Sequence, residues 1–106
     1  MKVFLDDVRD PYPGWTLVRN YQECIRLLRT GKVRFLSLDH DLGLDRKSGY
    51  DVACWIERQV VLEGFRPPVL SCHSANPAGR RNILAAIESI RRLTPSPLSG
   101  TVQEGA

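Results

Sequence analysis

The sequence has few cysteines and no long apolar segment, and both absences limit what the protein can be. The three cysteines, Cys24, Cys54 and Cys72, lack the paired spacing of a metal site, and an odd number without a secretion signal is typical of reduced cytoplasmic thiols. Residues 1–5 run directly into an acidic pair, so we expect no signal peptide. The short apolar runs predict no transmembrane helix and no membrane partner. A chain of 106 residues suits one domain with a single modest core.

Lysine is also scarce, and the charged residues that are present are unevenly placed. The chain has 12 arginines against 3 lysines, and its formal net charge is +3. Arginine binds phosphate through a rigid fork, so this composition permits a nucleotide or RNA partner without requiring one. The glutamates are scattered, whereas all seven aspartates fall in two short windows: Asp6, Asp7 and Asp10, then Asp39, Asp41, Asp45 and Asp51. Solvating charge has no reason to cluster in this way.

Short apolar runs alternate with amphipathic segments, which predicts an α/β fold. Runs at 2–5, 16–19, 33–38 and 68–72 are typical of strands, and helices are predicted behind the N-cap residues Asn20, Ser48 and Asn76. We expect a mostly parallel sheet of about four strands with helices on both faces, a flavodoxin-like three-layer sandwich. Roughly ten residues separate the first two strands, so either a loop makes that crossover or the second strand is an irregular edge. The domain is expected at 1–93, with a C-terminal tail at 94–106.

Acidic residues and both histidines follow the predicted strands. The strands end in Asp6 and Asp7, in the run from Asp39 to Asp41, and in His73 and Ser74. Ligands of doubly wound sheets bind beyond the carboxyl ends of the strands, so these groups should meet at one edge. Carboxylates packed together repel unless one takes a proton or a cation binds, and we expect Mg²⁺ or Mn²⁺. The predicted metal ligands are Asp6, Asp7, Asp39 and Asp41, and the predicted catalytic residues are His40, His73 and Asp39, whereas Asp10, Asp45 and Asp51 are expected in turns or caps.

The start of the last helix adds a predicted anion site at the same edge. Free backbone N–H groups and the positive end of the helix dipole would face the strand ends. The candidate phosphate-binding residues are Ser74, Asn76, Arg9 and Arg80. Together, carboxylates with a metal, histidines, arginine and a helix N-terminus describe a site that handles phosphate.

Three motifs carry a resemblance to a known family. LDDVR at 5–9 and Asp39 resemble the acidic pair and phosphoacceptor of response-regulator receiver domains, although no lysine follows Lys47, whereas receivers carry one after a fifth strand. The combination of LDDVR with LDHDLG at 38–43 and HSAN at 73–76 resembles the cyclic-phosphate-processing receiver domain family. This resemblance implies a truncated receiver-like fold and an enzyme that acts on cyclic phosphates of nucleotides or RNA ends.

The function predicted from these residues is that of a metal-assisted phosphoesterase. His40 and His73 would supply general acid and general base, with His40 between two aspartates as the acid and His73 as the base. A covalent variant would use Asp39 as a nucleophile that forms an acyl phosphate. Two alternatives stay open: a degenerate receiver that is phosphorylated on Asp39 and switches a partner, and a module that binds a nucleotide or a protein without catalysis.

Overall fold

Four short parallel strands form the sheet, in the order β2-β1-β3-β4. In the computed structural model, which describes residues 1–43 and 46–94, they are β1 (Lys2–Leu5), β2 (Thr16–Val18), β3 (Phe35–Leu38) and β4 (Val69–Cys72). Leu5, Leu38 and Cys72 stand side by side in register, so the three strands end at the same level. The predicted α/β class with a four-stranded parallel sheet is confirmed.

The three helices begin at the caps that the sequence predicts. They are α1 (Tyr21–Leu28), α2 (Gly49–Glu63) and α3 (Pro77–Leu93). The side chains of Asn20, Ser48 and Asn76 each accept a hydrogen bond from a backbone N–H in the first helical turn. These bonds satisfy donors that a helix start leaves unpaired and fix where each helix leaves the sheet edge.

The connection between β1 and β2 contains no helix. Val3 to Leu5 pair in parallel with Thr16 to Val18, so the intervening loop makes the crossover by itself. Trp15 N–H donates to the carbonyl of Tyr12 at 3.0 Å within this loop. Of the two possibilities left open by the sequence, the structure shows the loop crossover.

All three helices pack on one face of the sheet, which differs from the expected three-layer arrangement. A single core joins Val3, Leu5, Leu36 and Leu38 to buried residues of every helix. Right-handed crossovers that advance in one direction along the sheet place their helices on the same side. The opposite face carries Phe4, which the ring of Tyr12 covers edge-on at 4.8 Å between centroids, and Trp15 packs edge-on against Tyr12. The loop between β1 and β2 thus covers part of the face where a helix was expected, because the connection is too short to hold one.

The chain after α3 is described only as far as Thr94, the residue that caps the helix. Apart from Thr94, the tail predicted at 94–106 lies outside the described residues, and so does Asp45, which was expected in a turn or a cap. Within residues 1–43 and 46–94, no helix is long and apolar enough to cross a membrane.

Candidate functional site

An open depression of about 490 Å³ lies beyond the carboxyl ends of β1, β3 and β4. Its walls come from the loops that follow the three strands, as the parallel register requires. Most of the predicted site residues line it; the full lining is Asp6, Asp7, Val8, Arg9, Asp39, Asp41, Gly43, Ser74, Ala75 and Asn76. The structure therefore brings together both aspartate windows and the segment that enters α3.

Asp6 is the most firmly held carboxylate of the site. Its residue is 3% exposed, and Oδ1 accepts hydrogen bonds from the backbone N–H groups of Val8 at 2.8 Å and Arg9 at 2.7 Å. Its other oxygen, Oδ2, accepts from Nε2 of His73 at 2.9 Å. Burial raises the pKa of Asp6, but these hydrogen bonds outweigh burial and leave the pKa below its ordinary value. Asp6 is thus held as a carboxylate.

His73 lies beneath the depression with both ring nitrogens engaged. Its side chain is 6% exposed, Nε2 contacts Asp6, and Nδ1 lies 2.7 Å from Oγ of Ser37. The imidazole also stacks on the ring of Phe4, with centroids 4.1 Å apart and planes 10° apart. The sequence predicted His73 as a general base open to substrate at the strand ends, whereas its ring turns toward β1 and β3. Strand-end position alone could not show that direction.

Asp39 lies in the same depression and has a different electrostatic environment. Its Oδ1 accepts from the backbone N–H of His40 at 2.9 Å. Burial and the nearby charge of Asp6 raise the pKa of Asp39, although hydrogen bonding from Ser74 and the proximity of His73 act in the opposite direction. Gly49 starts α2 so close behind this residue that a Cβ atom would overlap the carbonyl of Asp39. The close contact between α2 and the end of β3 therefore depends on a glycine at position 49.

One group of potential metal ligands stands out among the described residues. Asp6, Asp39 and His73 each offer an atom, and these atoms lie within 4.8 Å of one another. Since Nε2 of His73 already contacts Asp6, the two carboxylates are the better donors, and hard divalent ions such as Mg²⁺ prefer oxygen. The carboxylate of Asp7 instead packs against Gly43, where the backbone φ of 63° favours glycine and a Cβ would meet Oδ2 at 2.5 Å.

Neither histidine lines the depression itself, and His40 is the more accessible of the two. Its side chain is 25% exposed, and Nδ1 lies 3.0 Å from Oδ1 of Asp41. Asp41 also accepts from the side-chain amide of Asn76 at 3.3 Å and 3.4 Å. Hydrogen bonds from His40 and then Asn76 lower the pKa of Asp41. Asp41 therefore links His40 through hydrogen bonds to Asn76, the residue that caps α3.

The four predicted phosphate-binding residues divide into two groups. Ser74, Asn76 and Arg9 line the depression, and Nη1 of Arg9 donates to the carbonyl of His73 at 3.3 Å. Arg80 does not join them, because its Nη1 donates to the carbonyl of Cys72 at 2.9 Å, on the outer side of β4. Ser74 is buried, and its Oγ accepts from the backbone N–H of Asn76 at 3.2 Å.

Two residues at the site were missed from the sequence. Ser37 is buried in β3 and contacts His73, as described above. Arg19 follows β2 and donates from Nη1 to the carbonyls of Asp6 at 3.3 Å and Arg9 at 3.4 Å. A signal existed for Ser37, since a serine inside an otherwise apolar strand must find a buried partner. No comparable signal distinguished Arg19 from the other arginines.

The sequence model of the cyclic-phosphate processing receiver domain matches residues 1–89 of the chain. The matched stretch contains all four strands, α1, α2 and most of α3, and therefore every residue that lines the depression. No curated protein and no solved structure gives a significant match.

Proposed function

Since the chain belongs to the cyclic-phosphate processing receiver domain family, we propose that it is a metal-assisted phosphoesterase that opens cyclic phosphates of nucleotides or RNA ends. The observation that carries the proposal is the convergence of Asp6, Asp39 and Asp41 on one open depression beside the start of α3, with the imidazole of His40 in contact with Asp41. The depression is small and open, which suits a phosphate at the end of a nucleotide or RNA chain.

The donor set of the depression fits a hard divalent cation. Asp6 is held ionised by hydrogen bonds, and the pKa of Asp39 is raised because that residue is partly buried and lies near the charge of Asp6. A bound Mg²⁺ or Mn²⁺ would neutralise this repulsion, polarise a phosphoryl oxygen and lower the pKa of a water molecule. Asp6 and Asp39 would hold the ion, with Asp7 and Asp41 as neighbouring carboxylates on the same depression.

His40 is our candidate for direct proton transfer. In the proposed hydrolysis, a water oxygen bonds to phosphorus, and the bond from phosphorus to one ribose oxygen breaks. His40 donates the proton that this leaving oxygen takes up, and a carboxylate of the site receives the proton of the water. Acid or base assistance of this kind contributes about 10²–10⁴-fold to the rate. Asp39 lines the depression and, in the covalent variant, would itself attack phosphorus.

His73 enters the proposal with a different role from the general base expected from sequence. Both ring nitrogens of His73 are hydrogen-bonded within the protein and 6% of its side chain is exposed. His73 would therefore influence the substrate indirectly, through Asp6. We therefore assign it the positioning of Asp6. Ser74, Asn76 and Arg9 are proposed to bind the non-bridging phosphate oxygens, as polar groups on the depression wall.

The alternative with a specific observation in its favour is a receiver-type signalling module. Asp39 follows β3 in the depression, where a phosphoryl group could reach it. The absence of any lysine after Lys47 disfavours this alternative, because receivers use such a lysine to contact the phosphoryl group.

A screen of 2′,3′-cyclic and 3′,5′-cyclic phosphates with Mg²⁺ or Mn²⁺ tests the proposal. We expect metal-dependent turnover that His40→Ala reduces by about 10²-fold or more and that the exposed control Asp10→Asn preserves. Turnover that persists with chelator, or that His40→Ala leaves unchanged, contradicts the mechanism. Binding of a cyclic nucleotide without turnover points to the non-catalytic alternative.

A further inference from the structure

A buried chain of side chains runs from the middle of β3 to the carboxylate of Asp6. Ser37 is 1% exposed, and its Oγ lies 2.7 Å from Nδ1 of His73. Nε2 of His73 then lies 2.9 Å from Oδ2 of Asp6. The stacking of the imidazole on Phe4 fixes the plane of the ring, so each nitrogen has a single neighbour to serve.

The protons available to this chain set the direction of its hydrogen bonds. An ionised carboxylate only accepts, so the hydrogen between His73 and Asp6 belongs to Nε2. A neutral imidazole then has its lone pair on Nδ1 and needs a donor there. Ser37 has one hydroxyl hydrogen, and among the described residues its Oγ has no second hydrogen-bond partner. Donation from Ser37 to Nδ1 is therefore the arrangement that leaves no buried donor unused.

We propose that Ser37 is a positioning residue of the site: its hydroxyl donates to Nδ1 of His73 and so holds the ring where Nε2–H bonds to Oδ2 of Asp6. Without the hydroxyl, Nδ1 is a buried acceptor with no donor, and this end of the ring is no longer held in place. A ring that shifts weakens the hydrogen bond from Nε2–H to Oδ2. That bond is one of the three that orient Asp6. Only the consequence for turnover rests on the function proposed above.

Nitrogen NMR of the histidine side chains reads this arrangement directly. The sequence has two histidines, so a His40→Gln variant assigns the signals of His73 without ambiguity. In the wild-type protein we expect His73 to show one protonated nitrogen, Nε2, and one unprotonated nitrogen, Nδ1. A wild-type ring that carries its hydrogen on Nδ1 overturns the proposal, and this measurement requires no variant at Ser37.

The matched variants are Ser37→Ala and Ser71→Ala. Ser71 is paired with Ser37 in the sheet register but is exposed, so it controls for the loss of a serine hydroxyl on a neighbouring strand. We expect Ser37→Ala to shift the Nδ1 signal of His73, since that nitrogen loses its donor, and to weaken Mg²⁺ binding about 10–100-fold, as is usual when a partner of a metal ligand is removed. Ser71→Ala should change neither.

The two readouts separate this inference from the proposed function. If Ser37→Ala leaves the His73 signals as in the wild type, Ser37 does not donate to Nδ1, whatever the protein hydrolyses. If the Nδ1 signal shifts and Mg²⁺ binding weakens as expected but no cyclic phosphate is turned over, the positioning role stands and the phosphoesterase proposal fails. Mg²⁺ alone serves as the probe of Asp6, so no substrate has to be known.

Discussion

Gly79 lies directly beneath the imidazole of His40, so closely that a Cβ atom at this position would overlap the ring. Gly79 is in the first turn of α3, where its N–H donates to the capping side chain of Asn76 at 2.9 Å. The same Asn76 contacts Asp41, which in turn contacts Nδ1 of His40. The start of α3 therefore both supports His40 from below and holds it from the side.

Gly79→Ala should displace His40 without unfolding the protein. Alanine normally stabilises a helix by roughly 1 kcal/mol relative to glycine, but here the added carbon must push aside a ring that is partly exposed and can move outward. We expect turnover to fall by at least about 10²-fold if His40 transfers the proton. The control Asn82→Ala changes an exposed position of the same helix and should retain activity. Full activity in Gly79→Ala would argue against His40.

Divalent cations should stabilise the folded protein through the aspartates of the depression. By linkage, Mg²⁺ or Mn²⁺ at about 100 times its dissociation constant adds about 2.7 kcal/mol to the free energy of unfolding. Thermal unfolding should therefore shift upward for the wild type and for Asp10→Asn, and stay unchanged for the double variant Asp6→Asn/Asp39→Asn. An equal shift in the double variant would place the cation elsewhere.

Asp6, which is buried, and Asp39, which is half-buried, should respond in opposite ways to neutralisation when no divalent ion is present. The lowered pKa of Asp6 means that its stabilising contribution is present above the unfolded pKa of about 3.9 and is lost as the pH falls through the folded value. The raised pKa of Asp39 means that stability is lost as the pH rises from about 3.9 through the folded value.

At pH 7 in chelator, Asp39→Asn should therefore raise the melting temperature, because it removes a half-buried charge that Asp6 repels. Asp6→Asn should lower the free energy of unfolding by about 1.5–3 kcal/mol. Three N–H groups donate to the carboxylate of Asp6, and the NH₂ group of an asparagine would face at least one of them, donor against donor. Thermal melts across pH 3–8 test both signs. A stabilising Asp6→Asn would show that its hydrogen bonds do not outweigh burial.

Acetyl phosphate should leave no long-lived phosphoaspartate on Asp39. Receivers contact the phosphoryl group with a lysine, and this sequence has none after Lys47. Intact mass spectrometry after incubation with Mg²⁺ checks this expectation, with Asp39→Asn as the blank. A stable mass increase in the wild type alone would revive the signalling alternative.

Ile56→Ala should destabilise the protein by about 2–5 kcal/mol, since Ile56 is completely buried between α2 and the sheet. Leu62 lies on the same helix but is 70% exposed, so Leu62→Ala should change stability by no more than about 0.5 kcal/mol. Chemical denaturation measures both. Similar losses for the two variants would mean that the packed face of α2 is misassigned.

The strand ends and helix caps were predictable because their signals are local. An apolar run that stops at Asp6 or Asp39 predicts the end of a buried strand, and Asn76 followed by proline predicts the start of a helix. The direction of His73 was not predictable, because it depends on Phe4 and Ser37, which are distant in sequence. The choice of sheet face for the helices was missed for a related reason: it follows from the strand order, which the strand pattern does not contain.

Arg80, which was predicted to bind phosphate, instead lies at the exposed edge of β4, where other chains could add a strand to the sheet. The amides of Val69 and His73 donate to the carbonyls of Arg34, just before β3, and Leu38, so by strand alternation the backbone groups of Leu70 and Cys72 point away from the sheet. Unpaired edges of this kind recruit strands from other molecules. Two prolines precede β4, and the guanidinium of Arg80 occupies the Cys72 carbonyl. A strand from another molecule could pair with the backbone groups of Leu70, but the carbonyl of Cys72 is already hydrogen-bonded. This arrangement disfavours edge-to-edge aggregation through β4.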